Sequence, residues 1–399
     1  MRVASLAQPI IAGVVAGITG FAGAVALLIA ALGNVGATQA ETASAILALS
    51  VVPGVLGVLL SLRTRLPILI VWSTPGAALL LATHNAGDYG DAISAFLLCG
   101  VLILLTGAWP WLARLVTRIP KPIASAMLAG VLFSICLAPL RAVVELPLLA
   151  LPIVVTWLVL SKFAPRWAVP AALVVALVVV GLSSDGFDLG HPETLLPALT
   201  LTIPGFDVPT ILGIGIPLYL VTMAGQNVTG FTVLRTFGYE HPPARAVLLS
   251  TGAGTLVAAP FGGFAMNIAA ITAAMVAGPD AHPDRDKRWV AGVAAAVTTA
   301  ALGLVASLVT ALFLASPSVL VTAVAGLALF GALATAIVGA LEDPAHRVVA
   351  VVTFVVAASG QPILGLGSAF WALLVGSIVM LWLAPWRRRR AARDATPEG

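Results

Sequence analysis

Long apolar runs, separated by short loops that carry most of the charge, follow one another along the whole of this sequence. A helix that crosses a bilayer needs about 20 mostly apolar residues, and runs of that length recur throughout the chain. Of all residues, 60% are hydrophobic and only 9% are charged, whereas a soluble domain carries about 25% charged residues. The chain is therefore predicted to be an all-α polytopic membrane protein.

Fourteen membrane spans are predicted. They cover residues 9–32, 42–62, 66–83, 91–109, 122–139, 146–162, 167–183, 208–234, 243–257, 258–277, 288–315, 318–340, 345–359 and 366–385. The longest polar interruption, residues 183–197, divides them into two halves of seven. Because an odd number of spans makes the second half enter from the opposite side, we expect two inverted seven-span repeats, an arrangement common among secondary transporters.

The positions of the basic residues give an independent test of this count, because Lys and Arg concentrate in cytoplasmic loops. With fourteen spans, Arg141 is the single exception among the 20 Lys and Arg residues, and all the others fall on one side. Both termini are therefore predicted to be cytoplasmic. The Asp, Glu and His residues lie in loops or at span ends, so no metal site, cofactor site, nucleophile motif or intramembrane proton relay is predicted.

Span 3 is interrupted by a polar cluster within LPILIVWSTPGAALLLAT (66–83). Pro75 disfavours a helical Thr74, and Pro75 itself suits the first turn of a helix, with Ser73 or Thr74 as the N-cap. We therefore predict an extended stretch over 67–73 and a half helix over 75–83. The alternative is a simple kink, since Pro and Gly are tolerated in membrane helices.

Span 10, the third span of the second half, has a matching interruption. Pro260, Gly262 and Gly263 break its backbone, and a half helix is predicted from Phe264 to Ala277. In inverted halves the two half helices approach from opposite faces, so their N-termini are expected to meet near the bilayer centre. Because each helix start presents unpaired N–H groups and about half a positive charge, the pair is predicted to form an anion site without Lys or Arg.

Further polar and aromatic residues are candidates to line this site. Amides and hydroxyls deep in span 8 need partners, and the alternative to ligand contact is hydrogen bonding between helices. Phenylalanines near the breaks are candidates to stack on a flat ring, although packing is the alternative. The predicted ligand contacts are Phe21, Ser73, Thr74, Pro75, Gly76, Thr222, Gln226, Asn227, Phe261, Gly262, Gly263, Phe264 and Asn267. Gly13, Gly17, Gly20 and Gly23 form one face of span 1 suited to close helix packing.

At these positions the chain resembles the benzoate/proton symporters, also called the benzoate membrane transport protein family. The resemblance covers nearly the whole length. It rests on VWSTPGAALL (71–80), PLYLVTMAGQN (217–227), NIAAITAA (267–274), AHPDRDKRW (281–289) and GSAFW (367–371). The run AHPDRDKRW is the most specific of these, although its residues alone indicate only a solvated cytoplasmic loop.

The resemblance implies a fold shared with nucleobase and sulfate transporters and an elevator-like motion, often within a homodimer. It implies a core domain from residues 1–120 and 208–316, a gate domain from residues 121–207 and 317–386, and a basic cytoplasmic tail over 387–399. It also implies import of benzoate or a similar aromatic carboxylate with a proton across the bacterial inner membrane. The lipid bilayer, the carboxylate and the proton are then the expected partners, with no nucleic acid.

One departure and three alternatives qualify this expectation. Similar nucleobase carriers have an acidic residue in span 8 near Gly225 and Gln226, and its absence here favours a substrate that is itself an anion. A carrier for another planar or small anion is the main alternative. A passive anion channel would use the same helix ends, and a membrane-embedded enzyme would need catalytic groups that the sequence lacks.

Cysteine labelling tests the predicted topology. A cysteine placed after residue 390 and one placed within 184–195 should react with an impermeant reagent from opposite sides, because seven spans separate the two positions. Labelling of both positions from the same side would contradict the span count and the inverted repeat together.

Overall fold

The computed structural model describes residues 4–83, 88–109, 111, 120–183, 198–361, 363 and 366–394. Within them most residues are helical, and two short strands pair with each other. The helices are α1 (Ala4–Asn34), α2 (Gln39–Thr64), α3 (Thr74–Leu81), α4 (Tyr89–Ala108), α5 (Lys121–Cys136), α6 (Ala138–Glu145), α7 (Pro147–Phe163), α8 (Ala168–Ser183), α9 (Val208–Thr222), α10 (Val228–Thr236), α11 (Ala244–Ala258), α12 (Ile271–Ala277), α13 (Trp289–Gly303), α14 (Ala306–Leu314), α15 (Ser318–Leu341), α16 (Arg347–Ala358) and α17 (Ser368–Asp394). The strands are β1 (Ile70–Trp72) and β2 (Met266–Ile268).

Eight helices in the described part of the chain are long and apolar enough to cross a membrane, and the bent pair Arg285–Gly303 and Ala306–Phe313 gives a ninth. Three more apolar helices are shorter, namely Pro147–Phe163, Pro344–Ala358 and Ser368–Leu383. The prediction of a mostly helical membrane protein is therefore confirmed. The count of fourteen crossings and the inverted repeat stay predictions.

Several predicted features fall wholly or partly outside the described residues. These are Arg2, Arg114 and Arg118 among the basic residues, the polar loop beyond Ser183, and residues 395–399 of the predicted tail. Span 14 was expected to end at residue 385, but helix α17 continues to Asp394. Arg and Ala are good helix formers, so the basic sequence after Pro385 extends the helix.

The two strands form an antiparallel ribbon in which Ile70 pairs with Ile268 and Trp72 with Met266. This ribbon corrects the predicted start of the second half helix. Residues 264–270 precede helix α12, which begins at Ile271 and not at Phe264. The reason is that β2 uses its backbone to pair with β1, so these residues cannot also form helical hydrogen bonds.

The glycines predicted on one face of span 1 differ in how closely they pack against a neighbouring helix. Helix α1 packs against α13, and a Cβ atom added at Gly17 would lie 2.8 Å from Thr298 Cβ and 2.9 Å from the Ala295 carbonyl oxygen. A Cβ atom added at Gly23 would meet no atom within 4 Å. Close helix packing therefore requires glycine at position 17 and not at position 23.

Helix pairing separates the described chain into two sets. The most extensive contacts join α1 and α2 to α13 and α4 to α11 in one set, and α5 to α15 and α16 in the other. Fewer contacts join the sets, chiefly those of α1 with α15 and of α3 with α5.

A matched pair of substitutions tests the packing of α1 on α13. Gly17→Ala should lower the thermal unfolding midpoint of the detergent-solubilised protein, because overpacking typically costs about 1–3 kcal/mol. Gly23→Ala should leave the midpoint unchanged or raise it, since alanine favours the helix by about 0.5–1 kcal/mol. Equal shifts in the two variants would contradict the packing described here.

Candidate functional site

The β-ribbon joins the two chain segments that the sequence marked as interrupted. Beyond its three paired residues, the Ser73 N–H donates to the Ala265 carbonyl oxygen at 2.9 Å and the Ala269 N–H donates to that of Leu69 at 2.8 Å. Extended pairing therefore covers 69–73 and 265–269. Residue 70 and residues 72–73 are buried, as is all of 265–269. The ribbon thus lies in the interior of the protein.

Side chains from three helices satisfy the outer edges of this ribbon. Ser61 Oγ accepts from the Ile68 N–H at 3.2 Å and donates to the Ile68 carbonyl oxygen at 2.8 Å. Thr255 Oγ1 accepts from the Met266 N–H at 3.0 Å, and Asn227 Oδ1 accepts from the Ile268 N–H at 3.2 Å. An unpaired backbone group costs several kcal/mol in an apolar interior, so these polar residues stabilise the break in each segment.

Helix α3 begins directly after β1, and Ser73 is its N-cap. Ser73 Oγ accepts from the Gly76 N–H at 3.0 Å and from Thr222 Oγ1, which donates at 2.8 Å. The Ala77 N–H donates to the Ser73 carbonyl oxygen at 2.8 Å. Ser73 and Thr222 are fully buried. The N-cap is thus hydrogen-bonded to the helix that carries the polar residues of span 8.

The ribbon register also corrects the expected meeting of two helix N-termini. Helix α3 starts beyond Trp72, which pairs with Met266, whereas α12 starts beyond Ile268, which pairs with Ile70. The two starts therefore lie at opposite ends of the extended pairing over 69–73 and 265–269, which spans about 16 Å. Since α12 has no side-chain cap and α3 has Ser73, the two starts also differ chemically.

A π-helical turn, Met223–Asn227, interrupts span 8 between α9 and α10. Such turns are rare and frequently occur at functional sites. Gln226 within it is 7% exposed, and its amide forms no hydrogen bond with the described residues. The amide of Asn227 is engaged, since it also donates to Met223 Sδ at 3.3 Å. In this structure the Asn227 side chain therefore bonds within the protein, and its contact with a ligand stays a prediction.

Asn267 lies in β2 opposite Val71. Its Nδ2 donates to the Ile268 carbonyl oxygen at 2.9 Å, while its Oδ1 is buried and has no hydrogen-bond partner. Buried polar atoms are almost always paired, so an unpaired acceptor in the middle of the ribbon is a candidate ligand contact.

The three phenylalanines among the predicted contacts differ in what surrounds them. Phe21 packs edge-on against Trp72, with ring centroids 5.9 Å apart, beside the start of α3. Phe264 is fully buried against Phe96, with centroids 5.8 Å apart, as the packing alternative expects. The ring of Phe261 is half-buried, and its carbonyl oxygen accepts from Ser44 Oγ at 3.1 Å.

The remaining predicted contacts lie in two turns. Gly262 has φ +87°, and a Cβ atom there would clash with Ala45 of α2 at 2.7 Å and with Tyr89 of α4. Gly262 is therefore held against α2 and α4, whereas a Cβ atom at Gly263 would clash with Ala258, the last residue of α11, at 2.5 Å. Thr74 is half-buried in the first turn of α3, where Pro75 and Gly76 are buried.

A cleft of about 840 Å³ opens between the start of α1 and the end of α12. None of the thirteen predicted contacts lines it. Its walls include Ile11 and Met275, and its rim carries an ion pair in which Arg166 Nη2 lies 3.5 Å from Asp280 Oδ2. Both charged side chains are more than half exposed, so this pair contributes little stability.

The loop 281–289 is more than the solvated loop that its residues alone indicated. Arg288 is 7% exposed, and its guanidinium donates to the carbonyl oxygens of Ala277 at 2.8 Å and His282 at 2.7 Å. A cation that bonds the last carbonyls of a helix stabilises its C-terminus. This loop therefore fixes the end of α12.

Sequence reasoning did not identify Trp72, Ser61 and Thr255 as residues that contact the ribbon or the Phe21 ring. A hydroxyl in an apolar run was the available signal for Ser61 and Thr255, but spacing did not indicate which backbone group each would meet. Among the described residues, no group of three or more His, Cys, Asp or Glu is placed to hold a metal ion.

Comparison with known proteins gives consistent matches over nearly the whole chain. The family model described as benzoate membrane transport protein matches residues 4–381. The inner membrane protein YdcO of Escherichia coli (strain K12) is 37% identical over 95% of this chain and 96% of its own. The benzoate membrane transport protein of Acinetobacter baylyi is 32% identical over 92% of this chain and 93% of its own. The solved transmembrane domain of the cyanobacterial bicarbonate transporter BicA shares the fold, with a TM-score of 0.63 and 18% identity over 94% of this chain and 97% of that chain.

The hydrogen bond between Thr222 and Ser73 is open to a matched test. Thr222→Val should lower the thermal unfolding midpoint, because it removes a buried hydrogen bond worth about 0.5–1.5 kcal/mol. Thr232→Val is the control, since Thr232 is exposed and bonds only to the Val228 carbonyl oxygen of its own helix. A Thr232 variant as unstable as the Thr222 variant would contradict the role given to the N-cap contact.

Proposed function

The chain belongs to the benzoate membrane transport protein family, and on that premise we propose that it imports benzoate or a similar aromatic carboxylate together with a proton. It is a membrane transport protein and not an enzyme. The finer assignment, proton-coupled import by an elevator-type alternating-access motion within a homodimer, is the proposal developed here.

The observation that supports this function best is the buried ribbon between two distant chain segments. It brings Ser73, with its partner Thr222, into the same small region as Asn267 and the π-helical turn that contains Gln226. Hydroxyls and amides there provide hydrogen bonds, and Phe21 lies nearby on Trp72. Secondary transporters commonly build substrate sites from interrupted helices of this kind.

Helix pairing supports an elevator-type motion. The set containing α1 to α4 and α9 to α14 corresponds to the proposed core, residues 1–120 and 208–316, and the set containing α5 to α8 and α15 to α17 to the proposed gate. Among the described residues, the ion pair Arg166–Asp280 is the one salt bridge that joins them. A weak, exposed connection of this kind suits two bodies that move relative to each other.

Coupling to a proton has an energetic reason. Import of an anion alone would work against an inside-negative potential, at about 2.3 kcal/mol per charge per 100 mV. Co-transport of one proton removes that electrical cost. Every Asp and Glu among the described residues lies in a loop or in the first or last turn of a helix, so none of these carboxylates lies in the middle of a long helix, where it could carry the proton.

Uptake into proteoliposomes tests the proposed function. With an acidic exterior, labelled benzoate should accumulate above equilibrium, and a protonophore should abolish the excess. Protein-free liposomes must be subtracted, because benzoic acid also crosses lipid unaided. Gln226→Leu should weaken uptake about two- to tenfold, since it removes one hydrogen-bonding group. Gln39→Leu, at an exposed position at the start of α2, should transport as the wild type does.

Two outcomes would contradict this function. Saturable uptake of another planar anion, with no uptake of benzoate, would indicate a carrier for a different substrate. Currents near diffusion rates without counterflow would indicate a passive anion channel.

A further inference from the structure

The orientation of the Asn267 amide determines what it offers a ligand. Its Nδ2 donates to the Ile268 carbonyl oxygen at 2.9 Å. Turning the amide over would place Oδ1 against that carbonyl oxygen, and two acceptors repel each other, so the hydrogen-bond partner settles the assignment. Oδ1, which is buried and unpaired, can only accept. A ligand atom that meets it must therefore be a donor.

Ser73 offers the opposite chemistry. A hydroxyl has two acceptor lone pairs and one O–H donor. Ser73 Oγ already accepts from the Gly76 N–H and from Thr222 Oγ1, so both lone pairs are in use. The O–H is the part of Ser73 that can still bond to a ligand, and a ligand atom that meets it must be an acceptor.

The ribbon register puts these two groups on one face. Val71 pairs with Asn267, and the Ser73 N–H bonds to Ala265, so residues 71 and 73 of one strand and 265 and 267 of the other point to the same side. Ser73 and Asn267 are then diagonal neighbours, whose Cβ atoms lie about 7 Å apart. A carboxyl group with a hydrogen bond of about 2.7 Å at each oxygen bridges such a separation.

This face of the ribbon is adjacent to the open cleft. Val71 packs against an apolar cluster that includes Ala16 and Ala273. Ala12 and Met275, which line the cleft, pack against the same cluster. The apolar cluster against which Val71 packs therefore also contacts the wall of the cleft.

Positive charge is absent from this region. Neither 66–83 nor 258–277 contains Lys or Arg, and the N–H groups of Gly76 and Ala77 in the first turn of α3 are already bonded. A carboxylate here would lose its hydration without gaining a cation, which is costly, and it would set an anionic oxygen against Asn267 Oδ1. A protonated carboxyl group avoids both penalties.

We propose that the site recognises its substrate as the neutral carboxylic acid, whose carbonyl oxygen accepts from Ser73 Oγ and whose O–H donates to Asn267 Oδ1. This inference rests on the proposed function and identifies the carrier of the coupled proton. Outside, the carboxylate takes one proton from a hydronium ion, so that an O–H bond of hydronium breaks as the O–H bond of the acid forms. In the cytoplasm the same O–H bond breaks, so that one carboxylate and one proton are released together.

This recognition has a defined pH dependence. Only the protonated fraction of benzoate binds, so its apparent affinity falls about tenfold for each pH unit above the pKa of its carboxyl group. Benzamide presents the same carbonyl acceptor and an N–H donor at every pH. Its inhibition constant should therefore not change with external pH.

Competition against labelled benzoate uptake, in proteoliposomes of the full-length protein, tests the inference. Acetophenone is the matched control ligand, because a methyl group replaces the NH₂ group of benzamide. Benzamide should inhibit about tenfold more strongly than acetophenone, the value of one hydrogen bond to a buried acceptor. In Asn267→Ala the ratio should fall to about one, whereas a purely structural effect would weaken both ligands equally.

Each outcome decides a separate point. If benzoate accumulates but benzamide inhibits no better than acetophenone, the carboxylate anion is the recognised form and this inference is wrong. If the inhibition constants of benzamide and benzoate rise in parallel with pH, a group of the protein titrates, and the inference is again wrong. If benzoate does not accumulate at all, the proposed function itself fails. Should Asn267→Ala not insert, the two ligands on the wild type still decide the question.

Discussion

Satisfying backbone hydrogen bonds in the interior of a membrane protein is the constraint on which this structure depends. Two chain segments leave the helical conformation, and their N–H and C=O groups would be costly if unpaired. They pair with each other as β1 and β2, and side chains of three helices bond to the remaining edge groups. These bonds hold α2, α11 and the π-helical turn Met223–Asn227 around the ribbon. Extended backbone is thereby kept where polar groups can face a ligand.

The same constraint explains why polar residues near the ribbon differ in which donors and acceptors can still bond to a ligand. Asn227 bonds to the Ile268 N–H and to Met223 Sδ, and Thr255 bonds to the Met266 N–H. Ser73 Oγ accepts from the Gly76 N–H and from Thr222 Oγ1. Asn267 Oδ1 and the Gln226 amide have no hydrogen-bond partner among the described residues. A site assembled from leftover donors and acceptors, without charged side chains, favours a ligand that is neutral when it is bound. Import with one proton satisfies this condition for an aromatic carboxylate.

At the C-terminal end of α12, side chains of the following loop bond to the helix. Arg288 stabilises the end of this short helix by donating to carbonyl oxygens. The run AHPDRDKRW (281–289), on which the family resemblance rests most specifically, therefore has a structural role. Nearby, Arg166 and Asp280 meet at the rim of the cleft as an exposed pair. A buried, hydrogen-bonded cation on one side and an exposed surface pair on the other fit the proposed motion, in which α12 would move with the proposed core domain.

Sequence alone determined the membrane character and the helical content, because apolar run length and charge spacing are local properties. Pro and Gly, which also act locally, predicted an interruption in each of the two segments. It also indicated the polar residues of span 8 and offered Ser73 or Thr74 as the N-cap, of which the structure has Ser73. It failed on the start of the second half helix, since the propensities of residues 264–270 contain no information about a pairing partner some 200 residues away in the chain. Only the tertiary structure decided that the two helix starts lie at opposite ends of a ribbon, and which polar atoms remain unpaired there. Those features depend on strand register and on contacts between distant segments, which no local pattern encodes.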